Sequence, residues 1–459
     1  MKDLPWRAET DRGGYQKPRQ ILLPLFSSRP AKSNPIRTFT LLLSAICIAC
    51  EDAPTANDPR PNIIVIMTDD QRADTLSYMP NLDSLAQDGV LFERAYANSP
   101  VCGPSRASFF SGRRASTLGL EDENEGAYEE FDDSETIAVA LQRSGYITGH
   151  IGEYINGYRN GFPSVPPGWD HWLAFSDGLE VLFSPGSVYI DPKVSRNGVT
   201  EILEGHSIDL FTDAAIEFVE QNAGKDPFFL SVAYWAPHVP LEPHPDYEGL
   251  FAGLTPAKPP SLGESDLSDK PLLLPSDLYE ALQLDEDEVW AYWEPYLEIL
   301  THVDDSLGRI LEAIDDAEIA ETTLVVFTSD NGFMFGEHGG LGKGLAYEES
   351  ARIPLVVRYP RRDAPGVAPD LVAIHDLAPT FADYAGIDFP TDGLSLRDAI
   401  EGWELPRTSI FIEMALDDSI NFVAEVWVDF KRVVWAGENT GLIEEYDLEN
   451  DPFELEGSP

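Results

Sequence analysis

Short apolar runs recur along the chain, each passing abruptly into polar turn residues, and between them lie stretches where apolar positions return every third or fourth residue. NIIVIM (62–67) is continuous and β-branched, the pattern of a strand buried on both faces, and it runs into Thr68, Asp69 and Asp70. FFLSVAYWA (228–236) runs into Pro237 and His238, TLVVFT (323–328) runs into Ser329, Asp330 and Asn331, and IPLVVRYP (353–360) is a fourth such run. Helical spacing occupies 82–88, 134–144 and 207–222. It is clearest in Trp290, Trp293, Leu297, Leu300, Val303, Leu307, Ile310 and Ile314, where Pro295 marks either the true start of the helix or a kink.

Strands alternating with helices predict an α/β fold: a large, mostly parallel or mixed sheet sandwiched by helices. Ligands of such sheets collect beyond the carboxyl ends of the strands. Here those ends carry Asp-Asp, Pro-His and Asp-Asn, so three separated segments deliver polar groups to one edge. Residues 240–289, rich in Pro, Leu and acids, read as an excursion over that edge. After Thr391 the pattern changes to short amphipathic pieces, SIFIEMA, VAEVWVDFKRVVWA and LIEEYDL, which predict a small C-terminal antiparallel sheet. The expected organisation is a leader over 1–50, a tether over 51–60, a catalytic α/β domain over 61–390 and a small subdomain over 391–459. No Gly/Ser linker separates the last two.

Charge narrows the partners. The chain of 459 residues carries 31 basic and 80 acidic side chains, a formal −49, and the first 50 residues hold eight of the basic and three of the acidic groups. The remainder is therefore more acidic still. Such a surface repels nucleic acid and anionic membranes, suits solubility or high salt, and obliges any anionic substrate to find a local positive site. Near the N-terminus, Lys32 and Arg37 precede a 12-residue apolar run, Thr38–Ala49, too short to span a membrane and of the length of a signal-peptide core. Export follows as the expectation, to a bacterial periplasm, outer-membrane surface or the medium. Cys50 follows Ile48 and Ala49 as the first residue after a lipoprotein cleavage would, although Cys47 stands where that pattern carries an aliphatic residue. The 30 or so residues before the run are long for a leader, as an upstream start codon would make them. Cys47 and Cys50 belong to this leader, so Cys102 is alone in the folded body and no disulfide framework exists there.

Asp69, Asp70, Asp330 and Asn331 offer only oxygen donors, which suits a hard cation such as Ca2+ or Mg2+, held at about 2.3–2.6 Å for calcium. Each pair alone is a common turn cap; two pairs, each directly after a buried strand, point to a metal. The lone thiol sits in VCGPSRASFFSGR (101–113), in which Cys102, Pro104, Ser105 and Arg106 are followed by Ser111, Gly112 and Arg113. This resembles the signature of type I, formylglycine-dependent sulfatases, of the alkaline phosphatase superfamily. The similarity extends over nearly all of 61–455: NIIVIMTDDQRADTL resembles the family's opening strand and metal pair, and APHVPLEP its substrate-histidine segment. FTSDNGFMFGEHGGLGKG resembles its second metal pair and lysine, and EYDLENDPFELEG its closing motif. The resemblance implies that a formylglycine-generating enzyme oxidises Cys102 to 3-oxoalanine and that one hydroxyl of the hydrated aldehyde attacks sulfur while the other later expels sulfate. It further implies Asp69, Asp70, Asp330 and Asn331 as metal ligands beside residue 102, Arg106 as orienting the nucleophile, and Asp330 as a proton acceptor. His238 and Lys343 are implied to hold the sulfate and protonate the leaving oxygen, and His338 to support the site or the fold.

YITGHIGEYINGYRNGFPSVPPGWDHW (146–172) resembles glucosamine 6-sulfatases of the heparan type, with one departure. Most sulfatases carry a sulfate-contacting lysine after the glycine and a histidine two further on; here these are Glu153 and Ile155, with Asn156 as a candidate substitute. An anion for a cation about 4 Å from a sulfate changes the interaction by about 8 kcal/mol at an effective dielectric near 20. Three arrangements relieve this: Glu153 pairs with Arg106, Lys343 or Arg159; it meets a cationic group of the substrate; or a protonated His150 restores the charge. Trp169, Trp172, Tyr158 and Trp235 are candidate sugar platforms or core. The leading expectation is a sulfatase of a sulfated carbohydrate. The others are a phosphonate or phosphodiester hydrolase of the same superfamily and a sulfatase-like glycan-binding protein without turnover. Oligomeric state, the sugar, and internal or terminal attack are not written in the sequence.

Overall fold

The structure, a computed structural model, describes residues 60–457 apart from 121–126, 177–187, 255–257, 265–266, 268–269, 271–285, 361–365 and 417–419. The leader with Cys47 and Cys50, and all but the last residue of the tether, lie outside the described residues.

Ten strands build one mixed sheet. In chain order its strands are β1 (Asn62–Thr68), β2 (Val90–Tyr96), β3 (Ile147–Gly152), β4 (His171–Phe175), β5 (Lys193–Arg196), β6 (Val199–Ile202), β7 (Phe228–Ala233) and β8 (Thr323–Ser329). A two-stranded hairpin, β9 (Met334–Phe335) and β10 (Leu341–Gly342), intervenes before β11 (Leu355–Arg358) and β12 (Gly366–Ala373) complete the sheet. The order is β12-β2-β11-β8-β1-β7-β3-β4-β5-β6. The centre, β8-β1-β7-β3-β4, is parallel, while β11, β5 and β6 run against their neighbours.

Alternate side chains of β1 feed two different cores, as period-2 geometry requires. Ile63, Val65 and Met67 pack with Phe109, Leu141 and Phe381 on one face, where the helices Cys102–Ser111, Ile137–Arg143 and Leu377–Ala385 lie. Ile64 and Ile66 pack with Leu85, Phe211 and Leu300 on the other, under Pro80–Gln87, Ser207–Asn222 and Glu286–Asp316. The helical spacing at 82–88, 134–144 and 207–222 thus falls on three real helices. Pro295 is neither the start nor the end of the long helix, which begins upstream at Glu286. Val289 and Tyr296, on either side of the proline, are both buried in the core, and that burial carries the helix past the missing backbone donor.

Four further strands, β13 (Ile410–Ala415), β14 (Asn421–Val426), β15 (Phe430–Trp435) and β16 (Ile443–Asp447), form an antiparallel sheet in sequential order. Its inner face shares a core with Tyr96, Val101, Met334 and Leu345. Beneath it Lys431 is wholly buried, its Nζ 2.7 Å from Glu348 Oε1 and 2.8 Å from Glu454 Oε1. The segment 391–405, expected with the small subdomain, instead buries Leu396, Ile400 and Leu405 in the core of the large sheet.

The excess of acid over base sets a condition on this fold. Like charges crowd a compact body and salt screens them, the Debye length falling from about 10 Å at 0.1 M to about 3 Å at 1 M. The thermal midpoint at fixed calcium is expected to rise as sodium chloride increases over that range. A flat or falling midpoint in a calorimetric series would contradict a destabilising surface charge.

Candidate active site

β1 and β8 pair in parallel with Thr68 opposite Ser329, so Asp69-Asp70 and Asp330-Asn331 leave the sheet side by side. Backbone bonds continue across the gap: Asp330 N donates to Thr68 O at 3.1 Å, and Asp70 N to Asp330 Oδ1 at 3.2 Å. Asp70 holds a left-handed backbone, φ 67°, which a non-glycine residue adopts at a cost met by its surroundings. Tyr296 of the long helix donates its hydroxyl to Asp70 O at 2.8 Å. All four polar residues are buried, between 0% and 2% exposed.

Cys102 opens the helix Cys102–Ser111, with its Sγ 3.1 Å from Asp69 Oδ1. Burial, with the Asp330 and Asp69 carboxylates beside it, pushes the thiol well above its usual range, so an unmodified thiol here is a poor nucleophile. Four residues on, one turn along the same face, is Arg106, 1% exposed. Its Nε donates to Asp330 Oδ2 at 2.8 Å, one Nη to Asp69 Oδ2 at 3.2 Å, and the other Nη to Glu153 O at 3.1 Å. Ser105 Oγ donates to Asp330 O at 2.5 Å. Lys343 follows the β9–β10 hairpin and places its Nζ 2.8 Å from Asp70 Oδ1 and 2.6 Å from Cys102 Sγ. His238, beyond the end of β7, has Nε2 3.6 Å from Asp70 Oδ2, while its Nδ1 is 2.6 Å from Val239 O. Tyr189 holds the His238 carbonyl through its hydroxyl at 2.8 Å.

These contacts join every metal and catalytic candidate read from the sequence into one cluster. Donor atoms of Asp69, Asp70, Cys102 and His238 lie within 4.8 Å of one another. Two of the buried oxygens, Asp70 Oδ2 and Asn331 Oδ1, make no hydrogen bond. An unsatisfied buried oxygen is costly, and two of them among the Asp69, Asp70, Asp330 and Asn331 donors fit a hard cation. Charge agrees: three aspartates stand against Arg106 and Lys343, an anionic excess that a dication would reverse. Despite burial, which raises it, the Asp69 carboxyl is held low by His238, Lys343 and Arg106. Burial and then Asp69 push Asp330 up to about 6.

Glu153 resolves to one of its three arrangements. Gly152 ends β3 with φ 107°, and an added Cβ would lie 1.8 Å from Ala233 O, so only glycine makes the turn that aims the next side chain inward. Glu153 Oε2 then lies 3.0 Å from an Arg106 Nη, with the Asp69 carboxylate also in hydrogen-bond reach. Burial raises the Glu153 carboxyl well above the usual range; Arg106 opposes this and Asp69 adds to it. His150 does not restore a charge: burial, then Arg106, lowers it to about 3, and its ring stacks on Trp172 at 4.8 Å. Trp169, Trp172 and Tyr158 are core, 7%, 2% and 1% exposed, and Trp235 packs against the His238 ring at 4.3 Å, so none of the four offers an open sugar platform. Asn156 is buried against Gly103 in the first turn of the Cys102 helix, with Oδ1 unpartnered. His338 lies away from the cluster, paired with Glu264 at 3.1 Å and stacked on Tyr347 at 4.1 Å. Tyr189 and Tyr296 act on this site without having been singled out in sequence, and Ser105 is marked there only as part of the signature around Cys102.

The comparisons with known proteins follow the same residues. The sulfatase family model matches residues 61–387, and that of the N-sulphoglucosamine sulphohydrolase C-terminal region matches 336–458. An N-acetylglucosamine-6-O-sulfatase of Bacteroides thetaiotaomicron is 28% identical over 92% of this chain and 87% of its own. The solved structure of BT4656 with its substrate D-glucosamine-2-N,6-O-disulfate superposes with a TM-score of 0.74 at 27% identity, covering 87% of this chain and 93% of that one. The phosphonate monoester hydrolase of Agrobacterium radiobacter superposes at 0.66 and 26% identity, over 87% and 91%.

Replacing Glu153 tests its pairing. Glu153→Gln keeps the size and hydrogen-bonding reach and is expected to retain activity on an aryl sulfate within a few fold. Glu153→Lys sets two cations together in a buried space and is expected to lower both activity and the thermal midpoint, breaking a buried pair costing roughly 3–5 kcal/mol. A rise in activity with lysine would mean that residue 153 faces the sulfate instead.

Proposed function

The chain belongs to the sulfatase family, and from that premise and the geometry of the cluster we propose that it is an exported carbohydrate O-sulfatase using a formylglycine at position 102 beside one calcium ion. The observation that carries this reading is the convergence of Cys102 Sγ on the Asp69 carboxylate, with Lys343 2.6 Å from the same sulfur. The cation, held by Asp69, Asp70, Asp330 and Asn331, would acidify a hydroxyl beside it and neutralise charge on the sulfate.

The thiol cannot do this work as it stands, because it offers a single nucleophilic atom and no second group that could later expel sulfate. Conversion to an aldehyde by the formylglycine-generating enzyme supplies, after hydration, two oxygen nucleophiles on one carbon. One attacks sulfur and the substrate alcohol departs. The second, losing its proton, re-forms the aldehyde and releases sulfate. Arg106 fixes Asp69 and Asp330 about the nucleophile. Lys343 and His238 lie at the two different carboxylate oxygens of Asp70, positions suited to holding sulfate oxygens and to giving the departing oxygen a proton. The unpartnered Asn156 Oδ1, packed beside Gly103, supports a role at the substrate side of the site.

Because Glu153 is taken up by Arg106, no free carboxylate opposes a sulfate, which removes the motive for a binding protein without turnover. The glucosamine sulfatase relatives favour a sulfated glucosamine as substrate over an aryl ester. The leader read at 38–49 supports export.

Mass spectrometry of the peptide containing Cys102, from a host that carries the modifying enzyme, is expected to find the aldehyde in place of the thiol. The matured protein should release sulfate from 6-O-sulfated glucosamine, lose that activity to a calcium chelator, and lose roughly 10²–10³-fold in kcat/KM on Lys343→Ala. A thiol that stays unmodified, or faster turnover of phosphonate esters than of sulfate esters, would overturn the reading.

A further inference from the structure

Behind the His238 loop lies a second cluster of a different chemical kind. His206 caps the helix Ser207–Asn222, Asp209 sits in its first turn, His302 faces them from Glu286–Asp316, and His244 arrives on the segment that leaves His238. We propose that His206, Asp209, His244 and His302 bind one transition-metal dication of the zinc type, separate from the oxygen-lined centre, which would fasten the chain after His238 to both helices.

Geometry carries the proposal. A tetrahedral zinc with Zn–N bonds of about 2.0–2.1 Å sets its imidazole ring centres about 5 Å apart and neighbouring donor atoms about 3.4 Å apart. The ring centres here are 4.9 Å (His206–His302), 5.5 Å (His206–His244) and 5.5 Å (His244–His302). His302 Nε2 is 3.1 Å from Asp209 Oδ1, and donor atoms of His206, Asp209 and His302 all lie within 4.8 Å of one another. His302 is 3% exposed with Nδ1 unpartnered, an orphan a buried imidazole rarely keeps. His206 has Nε2 3.4 Å from Glu242 O, the second contact a metal-bound imidazole uses to fix its tautomer, and its Nδ1, 3.3 Å from Ile208 N in the helix cap, would turn from that long hydrogen bond to the ion.

The donor set is three nitrogens and one carboxylate, which suits zinc and its neighbours and not calcium. Burial, with His302 next, lowers His206 to about 4, and burial lowers His302 as well, so the rings are neutral and able to ligate. Asp246, Asp213 and Asp305 surround the cluster; Arg309, 3.5 Å from Asp209 Oδ1, is the opposing charge and is also paired to Asp213. The link to catalysis is short: Tyr189 packs on the His206 ring at 5.6 Å and holds the His238 carbonyl.

The full chain, stripped with chelator and resupplied with saturating calcium, should bind one equivalent of Zn2+. With Co2+ it should show the strong visible absorption of a four-coordinate nitrogen-oxygen site. His302→Gln and His244→Gln, each checked for fold by near-ultraviolet circular dichroism, are expected to weaken Zn2+ at least tenfold and to abolish that absorption, whereas Asp70→Asn should leave it. Since Asp70→Asn disables only the oxygen-lined centre, failure there and failure here read out separately. A cobalt spectrum no stronger than that of the six-coordinate aquo ion would mean that the rings merely pack on Tyr247. Zinc binding unchanged in both histidine variants would put the ion elsewhere. Either result overturns the proposal.

Discussion

Everything at the catalytic edge depends on holding acidic groups together where water does not reach them. Asp69, Asp70 and Asp330 are each no more than 2% exposed, at the adjoining ends of β1 and β8, and no fold gathers such groups without strong compensation. The chain provides two buried or nearly buried cations. Arg106 lies across Asp69 and Asp330, and Lys343 reaches Asp70. The first comes from a helix on one face of the sheet, the second from a loop beyond the hairpin β9–β10, so electrostatic need ties together segments more than 200 residues apart.

Much of this was legible because burial and polarity alternate so sharply. A run such as NIIVIM can only be a strand covered on both faces, and a pair of acids directly after it must sit at the sheet's edge. That logic located Asp69-Asp70 and Asp330-Asn331, but not that β1 and β8 are neighbours in register, which is a fact of long-range pairing. Strands β2 and β3 and the antiparallel edge β5–β6 were not marked, since their sequences, such as ITGHIG and KVSR, lack a continuous apolar run and gain their strand form from the sheet they join. Of the two readings of Pro295, the helix start fails for a related reason: local preference yields when the flanking residues bury Val289 and Tyr296.

The alternatives left open around Glu153 have one cause. Sequence spacing could name Arg106, Lys343 and Arg159 as partners but could not rank them, because the ranking rests on the turn at Gly152 and on which side of β3 the Cys102 helix lies. The same burial removed His150 as a source of charge. It also turned Trp169, Trp172 and Tyr158 from candidate platforms into packed core around His150, whose ring stacks on Trp172 and tilts against Trp169.

The charge balance that results changes what Glu153 does in the site. Burial raises its carboxyl, Arg106 opposes that, and the residue stands with Asp69 and Asp330 around the Arg106 guanidinium. A lysine at position 153 would set a second cation against Arg106 in that buried space. The glutamate there, which in sequence looks like a loss of sulfate affinity, is in the folded site a partner of Arg106, and its charge is met inside the protein.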